Sequence, residues 1–373
     1  MLLGIVTLVF VVLYFGFVMW MISQWNGISE PSSIEGSSDE NYRFISVVIP
    51  FKDEEAIIHD VLNSVLAQSY TNYEIIAVND GSSDRSLELA EKLIHSTHKV
   101  ISTAHSTGKK GALNQAIALA KGEIIVTLDA DTLVEEDWLQ HVNLSFSDPS
   151  TGILILPVDF HQPNWTKSFF ELEFLSLVGS GLASAQGGRA LMANGANLAF
   201  RRQAFKDVGG YSSHSAYSSG DDQFLLFDIH KSENWEIKTA FSQSLTAHTE
   251  APKNWKTWFS QRIRWGSKAT APSTTFAAGI SWLVFLTCLF MTISALASLV
   301  WSSLISWTIV AFVLKAIADA AFLASIASRF KKLHLMIVFP LLAIVYPILL
   351  TVSALLSLVV RPNWKGKRIS VGK

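Results

Sequence analysis

Four apolar runs, each long enough to cross a bilayer, constrain this chain most. Leu2 to Ile22 carries no charge, and Phe276 to Trp301, Leu304 to Ala327 and Leu335 to Val360 close the sequence. Each approaches the roughly 20 residues that a spanning helix needs. A chain so divided must place its polar middle outside the membrane and close its backbone hydrogen bonds within helices where it crosses. No Lys or Arg precedes Arg43. A secretory signal wants a basic start and a small-residue cleavage site, so the first run is expected to be a retained anchor over residues 1–23. A Ser-rich linker over 24–43 follows. The excess of basic residues after the anchor puts residues 43–270 in the cytoplasm by the positive-inside rule, in a multi-pass protein of the inner (cytoplasmic) membrane. The loop Arg329, Lys331 and Lys332 then falls on the same side. Three simple spans (about 274–361) would send the basic tail, 362–373, outside, against that rule. Pro340 and Pro347 offer a bend or a re-entrant turn as a way out.

Charge is low and balanced, 29 Lys and Arg against 31 Asp and Glu, which argues against a nucleic-acid partner. The single cysteine, Cys288, excludes a disulfide framework within the chain. Lys315 and Asp319, one turn apart in the third run, have the spacing of an internal ion pair. Paired charge at membrane depth serves either bundle stability or a polar path.

Between anchor and spans, strand-like and helix-like runs alternate. Ile45–Pro50, Tyr73–Val78, Val100–Thr103 and Ile124–Leu128 read as strands. Glu54–Gln68, Leu87–Ile94 and Ala112–Ala120 read as helices. This pattern predicts an α/β, Rossmann-like, mostly parallel sheet with helices on both faces over residues 44–253. In such sheets ligands bind beyond the carboxyl ends of the strands.

Those ends carry acids. The first strand leads into Asp53-Glu54-Glu55, the second into Asp80-Gly81-Ser82-Ser83-Asp84, and the fourth into Asp129-Ala130-Asp131. Two carboxylates two apart on extended chain can approach one hard cation, Mg²⁺ or Mn²⁺, that also holds phosphates, or can cap the next helix. Lys109 and Lys110 open a helix whose N-terminal field favours anions, not lysines; a phosphate nearby would reconcile them. No G-x-G-x-x-G or Walker A pattern occurs at these turns, which weakens dehydrogenase and ATPase readings. Further on, Met192 to Arg201 is rich in small residues, and Gly220-Asp221-Asp222-Gln223 opens a helix. Within 254–273, Gln261-Arg262-Ile263-Arg264-Trp265 puts Gln261, Arg264 and Trp265 on one helical face. Amide, guanidinium and indole together suit a sugar or phosphate, or an interfacial anchor shared with Trp255 and Trp258.

In this order the motifs resemble those of the membrane-anchored family 2 glycosyltransferases. That branch includes poly-N-acetylglucosamine, hyaluronan and cellulose synthases and ceramide glucosyltransferases. The resemblance covers about residues 44–270 and implies a glycosyltransferase-A-like fold using a UDP-sugar. It implies Asp80 at the uracil, Glu55 near the nucleoside, Lys109 near the nucleotide, Asp129 on the ribose side and Asp131 on the metal. Asp222 matches the family's general base. Asp221 stands where the family has Glu, and Gly220 where it has Thr. Gln261, Arg264 and Trp265, with Asp221, would hold the acceptor and the diphosphate. The acceptor is then either a growing polysaccharide or a lipid. Four spans are few for a self-contained channel, which favours the lipid or a partner membrane protein. A non-catalytic receptor or scaffold keeping the fold would be expected to have lost Asp131 or Asp222. A transporter finds support only in Lys315 and Asp319. His248 is expected to be structural.

Overall fold

In a computed structural model, residues 1–31, 42–103, 108–161, 165–214, 220–267 and 274–360 are described, with the pairs 363–364 and 367–368. Half of the expected linker (32–41), Ser219, residues 268–273 of the expected interfacial segment and most of the basic tail lie outside the described residues. The chain divides into two compact units. One gathers Ile28–Gln162 and Ser184–Glu250; the other gathers Met1–Gly27, Pro163–Ala183 and Ala251–Lys373.

The first unit is a seven-stranded α/β sheet. Its strands are β1 (Ile45–Phe51), β2 (Tyr73–Asn79), β3 (Lys99–Ser102), β4 (Ile124–Leu128), β5 (Thr151–Ile155), β7 (Asn197–Arg201) and β8 (Glu236–Thr239), in the spatial order β3-β2-β1-β4-β7-β5-β8. Strands β1 and β4 are apolar at nearly every position because both faces are covered, and every residue of each is buried. Helices α2 (Ile58–Leu66), α3 (Ser86–Leu93), α4 (Lys109–Leu119) and α5 (Trp138–Ser145) connect the strands, and the short α7 (Arg202–Asp207) follows β7. Trp138, Phe146 and Leu62 fill the core against Ile45, Val47 and Val126.

All pairings are parallel except those of β7, which runs antiparallel to both β4 and β5. Its first residue, Asn197, lies opposite Leu128, the last of β4. The reversal therefore delivers the small-residue stretch before β7 to the carboxyl edge of β4, where Asp129 begins. Two short strands, β6 (Val158–Phe160) and β9 (Ala247–Thr249), pair separately. There the Nδ1 of His248 bonds buried Asp159, and the backbone of His248 exchanges hydrogen bonds with Leu133. His248 is thus structural, as expected.

Two helices begin elsewhere than their periodicity predicts. Helix α2 starts at Ile58, not Glu54, because the acids after β1 are held in a turn: the backbone N–H groups of Asp53, Glu54 and Glu55 donate to Ser82, Ser86 and Asp84. Helix α4 starts at Lys109, three residues early.

The second unit holds four helices long and apolar enough to cross a membrane: α1 (Leu2–Asn26), α10 (Thr275–Ser298), α11 (Ile305–Arg329, extended by a short turn from Ser302) and α12 (Phe339–Val359). The first runs three residues beyond the expected anchor. Helices α1 and α10 share polar seams of a kind common between packed membrane helices. Thr7 meets Ser294 at 2.7 Å, and Thr287 donates to the Phe10 carbonyl. Lys315 and Asp319 form the expected pair, and Asp319 also accepts from the Tyr14 hydroxyl at 2.8 Å. Pro347 lies inside α12 without ending it, while Pro340 sits in its first turn. Helix α6 (Ser168–Gln186) falls inside the expected 44–253 domain, yet all but its last three residues pack with the second unit. Gly179 on it is tight against α11, where a Cβ would stand 2.2 Å from Ile326 Cδ1. Helix α9 (Trp255–Gly266) completes this unit and packs on α12.

Candidate active site

The carboxyl edge of the sheet gathers charge around Lys109. Its Nζ lies 2.5 Å from Asp129 Oδ1 and 3.7 Å from Asp221 Oδ2. Burial alone would lower its pKa, but the carboxylates of Asp129 and Asp221 outweigh that and raise it, so Lys109 is held as a cation. These acids are what reconcile a lysine with the N-terminus of α4. Lys110 is different. It is buried, donates to the His214 carbonyl at 2.9 Å and lies over the Phe224 ring, a structural role.

Gly195 joins this cluster to Asp222. Its N–H donates to Asp222 Oδ2 at 3.0 Å, and a Cβ there would stand 3.2 Å from Lys109 Nζ and 3.4 Å from Asp222 Cβ. A side chain there would press on the end of Lys109, so glycine leaves the lysine undisturbed. The other Asp222 oxygen accepts from the Gln223 N–H at 2.8 Å. Asp221 and Asp222 open helix α8 (Asp221–Ser232), whose N-terminal dipole favours carboxylates. Asp221 is buried; Asp222 is only half-buried.

Asp131 accepts weakly from Thr132 and Thr249. Burial, then the charges of Asp129 and Glu54, push its carboxyl up to about 6. Crowded acids of this kind are relieved by a cation. Among the described residues no group of three or more His, Cys, Asp or Glu is placed to hold a metal. Asp129 and Asp131 are the acids that could hold a divalent ion whose remaining positions are filled by phosphate oxygens and water.

Asp80 is buried and accepts from the Gly108 N–H at 3.1 Å. Gly108, at φ +79°, makes the turn that starts α4. Asp80 thereby fixes the N-terminus of α4, which carries Lys109. Glu55 faces elsewhere. It accepts from the Arg85 N–H and pairs with the Arg85 side chain at 3.5 Å, so it is not brought to the Lys109 cluster. The acid after β1 whose charge reaches Asp131 is Glu54. Consecutive acids in a turn point different ways, and their order does not say which way.

Gln261, Arg264 and Trp265 lie on α9 in the second unit, all partly exposed. Their neighbour Arg262 was given no role from the sequence. Its guanidinium lies 4.3 Å from the Trp265 ring centre and 5.1 Å from that of Trp258, and it pairs with Glu173 of α6. Trp258 is fully buried and donates to Glu173 at 3.2 Å. It is not the headgroup anchor its position had allowed; Trp255, half exposed, retains that possibility. No pattern in the sequence pairs residues 173 and 262. A buried acid inside an apolar helix was the one available signal.

The seven-stranded, mostly parallel α/β sheet with acids and Lys109 at its carboxyl edge is a glycosyltransferase-A-like fold. The chain superposes on the mannosyltransferase PcManGT of Pyrobaculum calidifontis, solved with GDP-Man and Mn²⁺, with a TM-score of 0.61 at 17% identity, covering 96% of this chain and 99% of that one. Residues 46–209 match Glycosyl transferase family 2. It is 30% identical over 234 residues to a β-monoglucosyldiacylglycerol synthase of Trichormus variabilis, covering 60% of this chain and 48% of the relative. It is 31% identical over 169 residues to a poly-β-1,6-N-acetyl-D-glucosamine synthase of Staphylococcus aureus, covering 44% and 41%. The chain thus spans about half the length of the curated relatives it matches.

Proposed function

We propose that the chain is a membrane-bound inverting glycosyltransferase. It moves a sugar from a UDP-sugar to a membrane-associated acceptor, with the catalytic residues on the cytoplasmic side. The observation that carries this reading is the convergence of Lys109, Asp129, Asp221 and, through Gly195, Asp222 at one edge of a family 2 domain. Asp222 takes the proton of the acceptor hydroxyl as that oxygen attacks the anomeric carbon. The bond from that carbon to the diphosphate oxygen breaks, and the nucleoside diphosphate leaves with the bonding pair. Lys109 supplies fixed positive charge beside the diphosphate, and its carboxylate partners preorganise it. Asp80 and Gly108 hold the nucleoside loop. A divalent ion at Asp129 and Asp131, Mg²⁺ or Mn²⁺, would neutralise charge on the departing diphosphate. Gln261, Arg264 and Trp265 would bind the acceptor.

Similarity to the diacylglycerol enzyme extends over more of the chain than similarity to the polysaccharide synthase, which favours a lipid acceptor over a polymer. The test is to incubate membranes bearing the protein with radiolabelled UDP-glucose, UDP-N-acetylglucosamine and GDP-mannose, then separate lipid from polymer. Label in lipid from a UDP-sugar is expected. Label in polymer would overturn the lipid acceptor, label from GDP-mannose alone the uridine donor, and no incorporation the enzyme itself.

Asp131→Ala is expected to weaken metal-dependent UDP binding by about 100-fold; unchanged binding by calorimetry would count against the metal site. Trp265→Ala should reduce transfer roughly fivefold to tenfold more than it reduces hydrolysis of the donor. Equal losses would argue against an acceptor platform.

A further inference from the structure

The acceptor platform is held from beneath. Arg262 lies between two indoles, Trp265 and Trp258, with its guanidinium within cation–π range of both. What fixes the guanidinium is Glu173, a residue on α6, 89 positions earlier in sequence. Its Oε1 accepts from Arg262 Nε at 2.7 Å, its Oε2 from Arg262 Nη2, and the same Oε2 accepts from the Trp258 indole N–H at 3.2 Å. Glu173 is 1% exposed.

Around it the base of α9 is seated on the start of α6. Phe170 stacks on Trp258 and meets Trp255 edge-on. Two residues before Glu173, fully buried Glu171 pairs with Lys332 just beyond α11 at 2.6 Å. Gly179 holds α6 against α11, and Gly266 closes the far end of α9 against Ser357 of α12. Helix α6 is therefore a fixed support, and Glu173 is the group through which it reaches Trp265.

A buried ion pair is weak evidence of stabilisation, because desolvation offsets the attraction. This one is also incompletely satisfied, since Arg262 Nη1 is buried without a hydrogen-bond partner among the described residues. Its geometry does have a directional consequence. A planar guanidinium gripped in bidentate fashion cannot rotate, so the Trp265 ring resting on it has one face and one tilt fixed.

We infer that Glu173 is a positioning residue for acceptor transfer, acting through Arg262 to set the plane of Trp265. The inference rests on the reading of Trp265 as part of the acceptor platform.

The experiment compares full-length wild type, Glu173→Gln, Arg262→Lys and Trp265→Ala in membranes. It measures transfer to acceptor, hydrolysis of the donor and UDP affinity. Glu173→Gln keeps the size but loses the charge, and Arg262→Lys keeps the charge but loses the planar fork. Both are expected to lower transfer by at most the roughly fivefold to tenfold selective loss of Trp265→Ala, while UDP affinity and donor hydrolysis stay at wild-type values. Normal transfer in Glu173→Gln beside impaired transfer in Trp265→Ala would overturn the inference and leave the platform standing. Normal transfer in Trp265→Ala would remove the platform itself, and the inference with it. Loss of UDP affinity along with transfer in both Glu173→Gln and Arg262→Lys would also overturn it, since the pair would then only hold the fold.

Discussion

Asp222→Asn is expected to lower sugar transfer by about 10²- to 10⁴-fold, the usual contribution of a positioned general base, while UDP binding stays close to wild type. The amide is isosteric. It can keep one of the two acceptor contacts now made with the N–H groups of Gly195 and Gln223, so the lead-in to β7 stays in place. What the amide cannot do is receive the acceptor's proton. Initial rates with saturating donor, set beside calorimetry with UDP, separate the two effects. Wild-type turnover would remove Asp222 from the mechanism. Loss of UDP binding would mean that the carboxylate holds the site together and does not act on the acceptor.

Lys109→Met carries the second large effect. In wild type this cation lies between Asp129 and Asp221 and close to Gly195. Removing it leaves those acids facing one another, beside Asp131. Breaking one side of a buried pair costs about 3–5 kcal/mol. Asp129, at 35% exposed, is partly screened, so a loss of about 2–3 kcal/mol is expected. The variant should unfold at lower temperature and lose UDP affinity, and Mg²⁺ or Mn²⁺ should restore more of its stability than of the wild type's. An unfolding midpoint equal to wild type, with no added metal response, would mean that the acids are neutralised by something other than Lys109.

How much of this was legible in the sequence follows the range of the interactions. β4 over Ile124–Leu128 could be read residue for residue, because an apolar run bounded by Gly122 and Asp129 has one local solution. The acids at the strand ends were equally visible, since a parallel sheet places its polar residues there. Orientation within a turn was not visible: Glu54 and Glu55 are adjacent, and only the hydrogen bonds that their N–H groups donate to Ser86 and Asp84, with the one Glu55 accepts from Arg85, decide which one faces Asp131. The antiparallel course of β7 was also hidden, because its apolar centre, Leu198-Ala199-Phe200, reads the same in either direction. The Glu173–Arg262 pair is beyond any local pattern. Helix α6 is apolar on nearly all sides, so its period gives no face, and its partner lies far along the chain.

The placement of α6 bears on how the protein can be divided. Its first sixteen residues, Ser168–Ala183, lie in a segment, Pro163–Ala183, that groups with the apolar bundle, whereas Ile28–Gln162 before it and Ser184–Glu250 after it group with the sheet. Sequence order and physical partition therefore disagree. A fragment cut at residues 44 and 250 would carry Phe169, Phe170, Leu172, Phe174, Leu175 and Leu182, all buried in the intact chain, into water without their partners. Such a surface favours association and precipitation. The sheet unit, cut out at those residues, would thus carry an apolar helix that belongs to the other unit. A soluble version would have to bridge across 163–183 as well as end before α9.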